Sequence, residues 1–217
     1  MSSSSPLFEP YKIRGLTLPN RVVMAPMTRS FSPGGVPGEN VAEYYERRGD
    51  ADVGLIITEG TTVDRGGASN DPKVPNFHTP DALSGWSNVV DAVHKTPGKI
   101  APQLWHVGMM RKPGTGPDPD AVSDSPSGRT HKGKQVQPEP TESEVADMVM
   151  AYANAAGEAK RLGFDAIEIH GAHGYLSDEF FWIVMNTRGD KYGGELPQRA
   201  TFAGEIINEC RIQVGDD

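Results

Sequence analysis

GFDAIEIHGAHGYL, residues 163–176, places a helix stop, a strand and a polar turn in one short stretch. Gly163 can take the positive φ that ends a helix, so the segment before it stops there. From 164 to 170 the apolar Phe164, Ile167 and Ile169 predict a strand. Period-two alternation turns Ile167 and Ile169 toward one face and Glu168 and His170 toward the other. His173 follows in a turn between Gly171 and Gly174, and Tyr175 comes directly after it. The strand therefore hands two imidazoles and a phenol to whatever lies beyond its C-terminal end.

The same alternation repeats outward along the chain. Apolar, β-rich runs at 21–25, 53–58 and 100–105 predict three more strands, each followed by a segment with helical spacing. A short helix is expected over 40–48. Thr79-Pro80 offers an N-cap and an N1 proline, with Trp86, Val89, Val90 and Val93 on one face behind it. Thr141-x-x-Glu144 reads as a capping box. It opens a helix that buries Val145, Met148, Val149, Tyr152, Ala156, Ala159 and Leu162. A last helix from about Pro197 is expected to bury Ala203, Ile206, Ile207, Cys210 and Val214 before Gly215. Residues 107–140 are long, rich in Pro, Gly, Ser and Asp, and lack periodicity. Such a loop after a strand end belongs to function or to disorder.

Strand alternating with helix means parallel βαβ architecture. Four units suit an open doubly wound sheet or part of a (β/α)8 TIM barrel. The doubly wound nucleotide-binding form calls for a Gly-rich turn after its first strand, and here that strand runs into Ala25-Pro26-Met27-Thr28. The other strand ends are polar: Thr58-Glu59-Gly60, Gln103-Leu104-Trp105-His106 and His170-Gly171-Ala172-His173. Polar chemistry gathered at strand C-termini is the barrel pattern, so the α/β partial TIM barrel is the expectation.

The composition narrows the class of partner. Of 217 residues, 29 are acidic and 21 basic, a formal net charge of −8 that argues against nucleic-acid or anionic-membrane surfaces. No stretch approaches the ~18 apolar residues needed to span a bilayer. Residues 1–6 form a serine-rich tail without a signal-peptide pattern and are expected to be frayed. With one cysteine, Cys210, no internal disulfide can form, and a reducing, cytoplasmic setting is expected.

Several residues carry chemistry on their own. His170, His173 and Tyr175 together suit binding a carbonyl or anionic oxygen and delivering a proton. Loop-capping histidines around a half-buried tyrosine remain the alternative. A His-x-x-His metal site lacks a third ligand at recognisable spacing. Gln103 sits in an apolar strand and needs partners for both its N–H and C=O groups. A ring with alternating C=O and N–H groups would supply them, as would a neighbouring loop backbone. Trp105 reads as a core or rim aromatic. Thr28 and Gly60 say little alone.

Five stretches in this order resemble the Old Yellow Enzyme family of NADH:flavin oxidoreductases over residues 7–215: LFEPYKIRGLTLPNRVVMAPMTR, GLIITEG, QLWHVG, GFDAIEIHGAHGYL and NTRGDKYGG. The resemblance implies a TIM barrel with FMN over its C-terminal mouth and NAD(P)H as reductant. It further implies reduction of an activated alkene such as an enone. By carry-over, Pro26, Met27 and Thr28 run along the flavin, Gly60 leaves room for it, and Gln103 bonds its pyrimidine edge. His170 and His173 hold the substrate carbonyl and touch the flavin, Trp105 shapes the pocket, and Tyr175 donates the proton. Three departures stand out. Met109 replaces an Arg usual in the family, Gln198-Arg199 stands where Asn-Arg is common, and Ser177-Asp178-Glu179 replaces a more apolar-and-amide stretch. A complete barrel has eight βα units and typically about 250 residues. The fifth-strand arginine and the phosphate-gripping loops after strands seven and eight have no counterpart in this sequence. Two expectations follow: a flavoenzyme by descent, or an inactive half-barrel that associates with itself or with a complementary half.

Overall fold

A computed structural model describes residues 5–215. The expected tail at 1–6 falls largely outside them, and order begins earlier than expected, with a 3-10 turn at Pro6–Phe8. An antiparallel hairpin follows, β1 (Tyr11–Ile13) and β2 (Leu16–Leu18), which the sequence reading did not anticipate. Its turn residue Arg14 takes φ 49°, a conformation uncommon outside glycine.

The central sheet has four parallel strands, β3 (Val23–Met24), β4 (Leu55–Thr62), β5 (Lys99–Trp105) and β6 (Glu168–Ile169). They lie in the order β3-β4-β5-β6, so each strand neighbours the next in sequence. A doubly wound sheet reverses its order at a switch point. Unbroken sequential order is the barrel arrangement, and it settles the choice between the two architectures. The strand expected over 164–170 contracts to two ladder residues. Hydrogen bonds from Asp165 N–H to Ile100 and from His170 N–H to Leu104 carry its alignment with β5 on both sides.

The β4–β5 register jumps between Ile57 and Gly60. Ile57 pairs with Ala101 and Gly60 with Gln103, so Thr58 and Glu59 together oppose Pro102. Proline has no N–H to donate to a ladder, and a bulge is where a sheet accommodates it. The Gln103 amide is instead met by the Thr58 hydroxyl at 3.2 Å. The bulge also sets the direction of Glu59.

The helices cover the outside of the sheet. α1 (Glu39–Asp50) packs on α2 (Pro80–His94), and α3 (Glu142–Arg161) packs on α6 (Thr201–Val214). Two short helices, α4 (Leu176–Phe181) and α5 (Leu196–Arg199), pack against each other and against α6. Thr79 caps α2 by accepting the Ala82 N–H, and the Thr141–Glu144 capping box closes both ways. Gly163 ends α3 at φ 87°. One core joins both helix pairs to the sheet: Tyr45, Ile56, Trp86, Val89, Val93, Ile100, Leu104, Tyr152, Phe164, Phe180, Phe202 and Ile206 are all buried. Ile167 and Ile169 pack against this core, as alternation requires. Two expectations about the last helix fail. It starts at Thr201 after a separate turn at Leu196–Arg199, and Ile207 is 51% exposed, so only Ile206 and Cys210 of its apolar stripe are fully buried. Cys210 lies within that core, and burial pushes its thiol up to about 12.

Candidate functional site

The C-terminal ends of β5 and β6 bring four rings together. The His170 ring lies 4.8 Å from Tyr175 and 5.2 Å from His173, both edge to face. Tyr175 lies 6.3 Å from His173 and 5.3 Å from Trp105, and Trp105 lies 6.5 Å from His170. Residues separated by 70 positions thus meet because β5 and β6 are adjacent and in register, Gln103 beside Glu168 and Leu104 beside Ile169.

The turn that carries Tyr175 is conformationally demanding. His173 takes φ 64° and Gly174 φ 72°, two consecutive left-handed residues. For a histidine that conformation is disfavoured, so other contacts must hold it. Gly174 donates its N–H to Asp178 Oδ2 at 2.8 Å, and Leu176 donates to the His106 carbonyl at 3.1 Å. Burial, with the neighbouring His173 adding to it, lowers the pKa of His170 and favours the neutral ring. Its Nδ1 accepts the Ala172 N–H at 3.4 Å. In a neutral ring that leaves the proton on Nε2, which becomes a donor.

The remaining expected residues line up behind this cluster. Gln103 is buried on β5 and donates through Nε2 to Glu168 Oε1 at 2.7 Å. Glu168 faces the Gln103 side, as alternation predicted. Neither a flavin ring nor a loop backbone is needed to occupy that N–H, and Gln103 keeps its second N–H and Oε1 for another partner. A Cβ on Gly60 would come within 2.9 Å of the Trp105 indole, so the room beside Gly60 is filled by Trp105. Trp105 is itself buried, and its Nε1 has no partner among the described residues. Pro26 is half-buried at the end of β3, while Met27 and Thr28 are exposed.

Two networks at these strand ends escaped the sequence reading. Arg29, next to Thr28, donates its backbone N–H and Nη2 to the fully buried Glu59 at 3.0 and 2.8 Å, and its guanidinium covers the Tyr44 ring at 3.6 Å. Both residues stood inside quoted motifs, yet a contact across 30 positions has no local periodicity to betray it. In the second network Asp124 takes two bonds from Arg65 at 2.8 and 2.7 Å and lies 2.8 Å from His106 Nε2. His106 Nδ1 accepts the Gly108 N–H at 2.9 Å, which places the imidazole proton on Nε2, facing Asp124. An open cavity of about 540 Å³ lies along this second network, lined by Arg65, Asp124, Gln137 and Glu144. None of the four clustered rings lines it, so the ring geometry rather than cavity size locates the candidate site.

Among the described residues no three His, Cys, Asp or Glu side chains are grouped to hold a metal ion, and no helix is long and apolar enough to cross a membrane.

Residues 6–217 match the model of the NADH:flavin oxidoreductase / NADH oxidase family. The chain is 40% identical to 12-oxophytodienoate reductase 7 of Oryza sativa subsp. japonica, covering 98% of this chain and 57% of that protein. It superposes on morphinone reductase in complex with tetrahydroNAD with a TM-score of 0.87 at 35% identity, over 98% of this chain and 62% of the other. An old yellow enzyme homologue from Zymomonas mobilis gives 0.84 at 32% identity, over 97% and 61%. The chain thus spans less than two thirds of the length of these three relatives, and its four strands are a partial TIM barrel. By sequence and by fold it belongs to the NADH:flavin oxidoreductase / NADH oxidase family.

Proposed function

We propose that the chain carries the N-terminal part of an FMN-dependent oxidoreductase that reduces the C=C bond of enone-like alkenes, with NAD(P)H as the reductant. The supporting observation is the meeting of His170, His173, Tyr175 and Trp105 beyond β5 and β6. A carbonyl oxygen between the two imidazoles receives ring N–H bonds, which stabilise negative charge as it develops on that oxygen. Tyr175 is the O–H donor of the group and holds the proton destined for the α-carbon. Trp105 walls the pocket. The flavin, when bound, supplies the hydride.

The donor set at the strand ends suits that cofactor. Gln103 offers one N–H and one C=O side by side once Glu168 has taken its other N–H, the pattern a pyrimidine edge demands. The unpartnered Trp105 Nε1 is a further donor. Pro26, Met27 and Thr28 run along the ring, with Arg29 and Glu59 fixing their backbone from behind. Gly60 acts through Trp105, whose ring it admits. The named relatives are reductases, which supports the direction of the reaction.

Titrating a protein of full family length that contains this chain with FMN, while following flavin fluorescence, tests the cofactor reading. Saturable quenching is expected, weakened more by Gln103→Ala than by Thr28→Ala. Unchanged free-flavin emission throughout would refute it. In a protein of full family length, Tyr175→Phe should leave flavin reduction by NAD(P)H intact and slow alkene reduction by ~10²–10⁴-fold.

A second reading, an inactive half-barrel that pairs with its own copy or a complementary half, rests on β3 and β6 each having a neighbour on one side only. Sedimentation decides it: a monomer at high concentration argues against self-pairing.

A further inference from the structure

Beneath the Tyr175 turn lies a carboxyl that the proposed reaction leaves unused. Glu179, one helical turn after Tyr175, is 0% exposed. Its Oε1 accepts the Met109 N–H at 2.7 Å, and its Oε2 has no partner among the described residues. Gly108 makes this approach possible. It takes φ 57°, and a Cβ there would stand 2.6 Å from both carboxyl oxygens.

The long loop after β5 brings one more group to this carboxyl. His131 Nε2 is 3.7 Å from Glu179 Oε1, too far for a hydrogen bond, and that nitrogen is buried and unpartnered. The same nitrogen lies against Gly174, where a Cβ would be 3.8 Å away. The His131 ring stacks on Trp182 at 5.5 Å and 20°. So His131 lies beside the left-handed turn that Asp178 also holds. His131 Nε2 and Glu179 Oε2 are each buried without a partner, which is costly, and a movement of about 0.8 Å would bring Nε2 within hydrogen-bond reach of the carboxyl at Oε1.

We propose that His131 is a positioning residue for Tyr175: it shares one proton with Glu179 and braces the Gly174–Tyr175 turn, so that seating of the long loop sets the aim of the phenol. The value of aiming Tyr175 rests on the function proposed above, but the brace itself does not.

The surroundings favour keeping that proton. Burial is the main cause that pushes Glu179 up, the Met109 N–H opposes it, and Asp178 on the same helix and Asp124 on the long loop add to it, so its pKa reaches about 9. The Tyr152 hydroxyl on α3 and the Ser177 hydroxyl, which interact with each other, are the other polar groups nearby. The Glu179 carboxyl therefore keeps its proton through neutral pH and can offer it to His131 Nε2. This device coincides with two of the family departures, Met109 and Ser177-Asp178-Glu179.

Tryptophan emission tests the sharing, because a stacked imidazole changes its effect on Trp182 as its proton leaves. The purified chain, Glu179→Gln and His131→Gln are titrated from pH 5 to 10, with Trp182→Phe as the blank. Gln at 179 keeps the acceptor for Met109 but cannot ionise. The expected result is a Trp182 transition near pH 9 in the parent. Glu179→Gln should abolish it, because no ionisable carboxyl remains beside the stacked ring, and His131→Gln should abolish it because nothing then relays the change to Trp182. A transition unmoved by Glu179→Gln overturns the shared proton. Amide hydrogen exchange at residues 174–176 tests the brace. Both variants should exchange about threefold faster or more at pH 7, and unchanged rates overturn the positioning role. Neither readout uses FMN, so a failure to bind flavin leaves both results interpretable.

Discussion

Asp124 and Glu179 are two buried carboxyls on the same face of the molecule, and the turn at Gly108–Met110 feeds both. The Gly108 N–H goes to His106, which serves Asp124, and the Met109 N–H goes directly to Glu179. Their surroundings drive them in opposite directions. For Asp124 burial is the largest influence and would raise its pKa, but hydrogen bonds from Arg65 and His106 outweigh it and hold the carboxyl well below the usual range. For Glu179 burial is again the largest influence, and a single amide donor leaves it in control. Depth sets the size of the electrostatic stake, and the number of aimed donors sets its sign.

The sharpest way to break the contrast is to remove the well-partnered acid. Asp124→Ala strands a buried imidazole and a half-buried guanidinium, and we expect about 3–5 kcal/mol lost in chemical denaturation. A loss near zero would mean that water satisfies Arg65 and His106 without help. The next largest effect has the opposite sign. A neutral Glu179 carboxyl contributes stability that is complete below the unfolded pKa of about 4.3 and declines as pH rises toward the folded value near 9. Glu179→Gln should therefore stabilise the chain by several kcal/mol at pH 8 and by almost nothing at pH 4. Equal gains at both values would show that Glu179 is not held neutral.

Asp124→Asn sharpens the comparison through pH alone. A depressed carboxyl gives stability that is present above its unfolded pKa and is lost as pH falls through its folded value. Parent stability should fall steeply from about pH 4 downward, and the Asn variant should show a shallower acid limb. Coincident limbs would assign the acid transition to other carboxyls. The smallest change is a yardstick outside both networks: Thr79→Ala removes the α2 cap and should cost about 1 kcal/mol at every pH.

These two carboxyls also mark where the sequence stopped being readable. The Thr141–Glu144 box, the Trp86 face of α2 and the stop at Gly163 are local, and each was visible as spacing or as a residue with one conformational use. His170, His173 and Tyr175 were visible because they crowd into one turn. Asp124 meets Arg65 across 59 positions and Glu179 meets Met109 across 70, and no window along the chain contains both partners. The bulge at Thr58–Glu59 was likewise hidden, since Pro102 betrays it only once β4 and β5 are aligned. Ile207 failed differently. Its spacing matched the buried stripe, but α6 rests on α3 along a line that passes through Ile206 and Cys210 instead.

The burial of Cys210 makes the molecule simple to instrument. With its thiol pushed up to about 12, roughly one molecule in 10⁵ carries a thiolate there at pH 7. A second cysteine introduced by Lys134→Cys, on the exposed tip of the long loop, would then be the sole site to react with a maleimide dye. Labelling needs no cysteine-free background, so the Phe202–Ile206–Cys210 face stays as it is packed. One fluorophore per chain would report the rotational freedom of that tip in the intact protein, molecule by molecule.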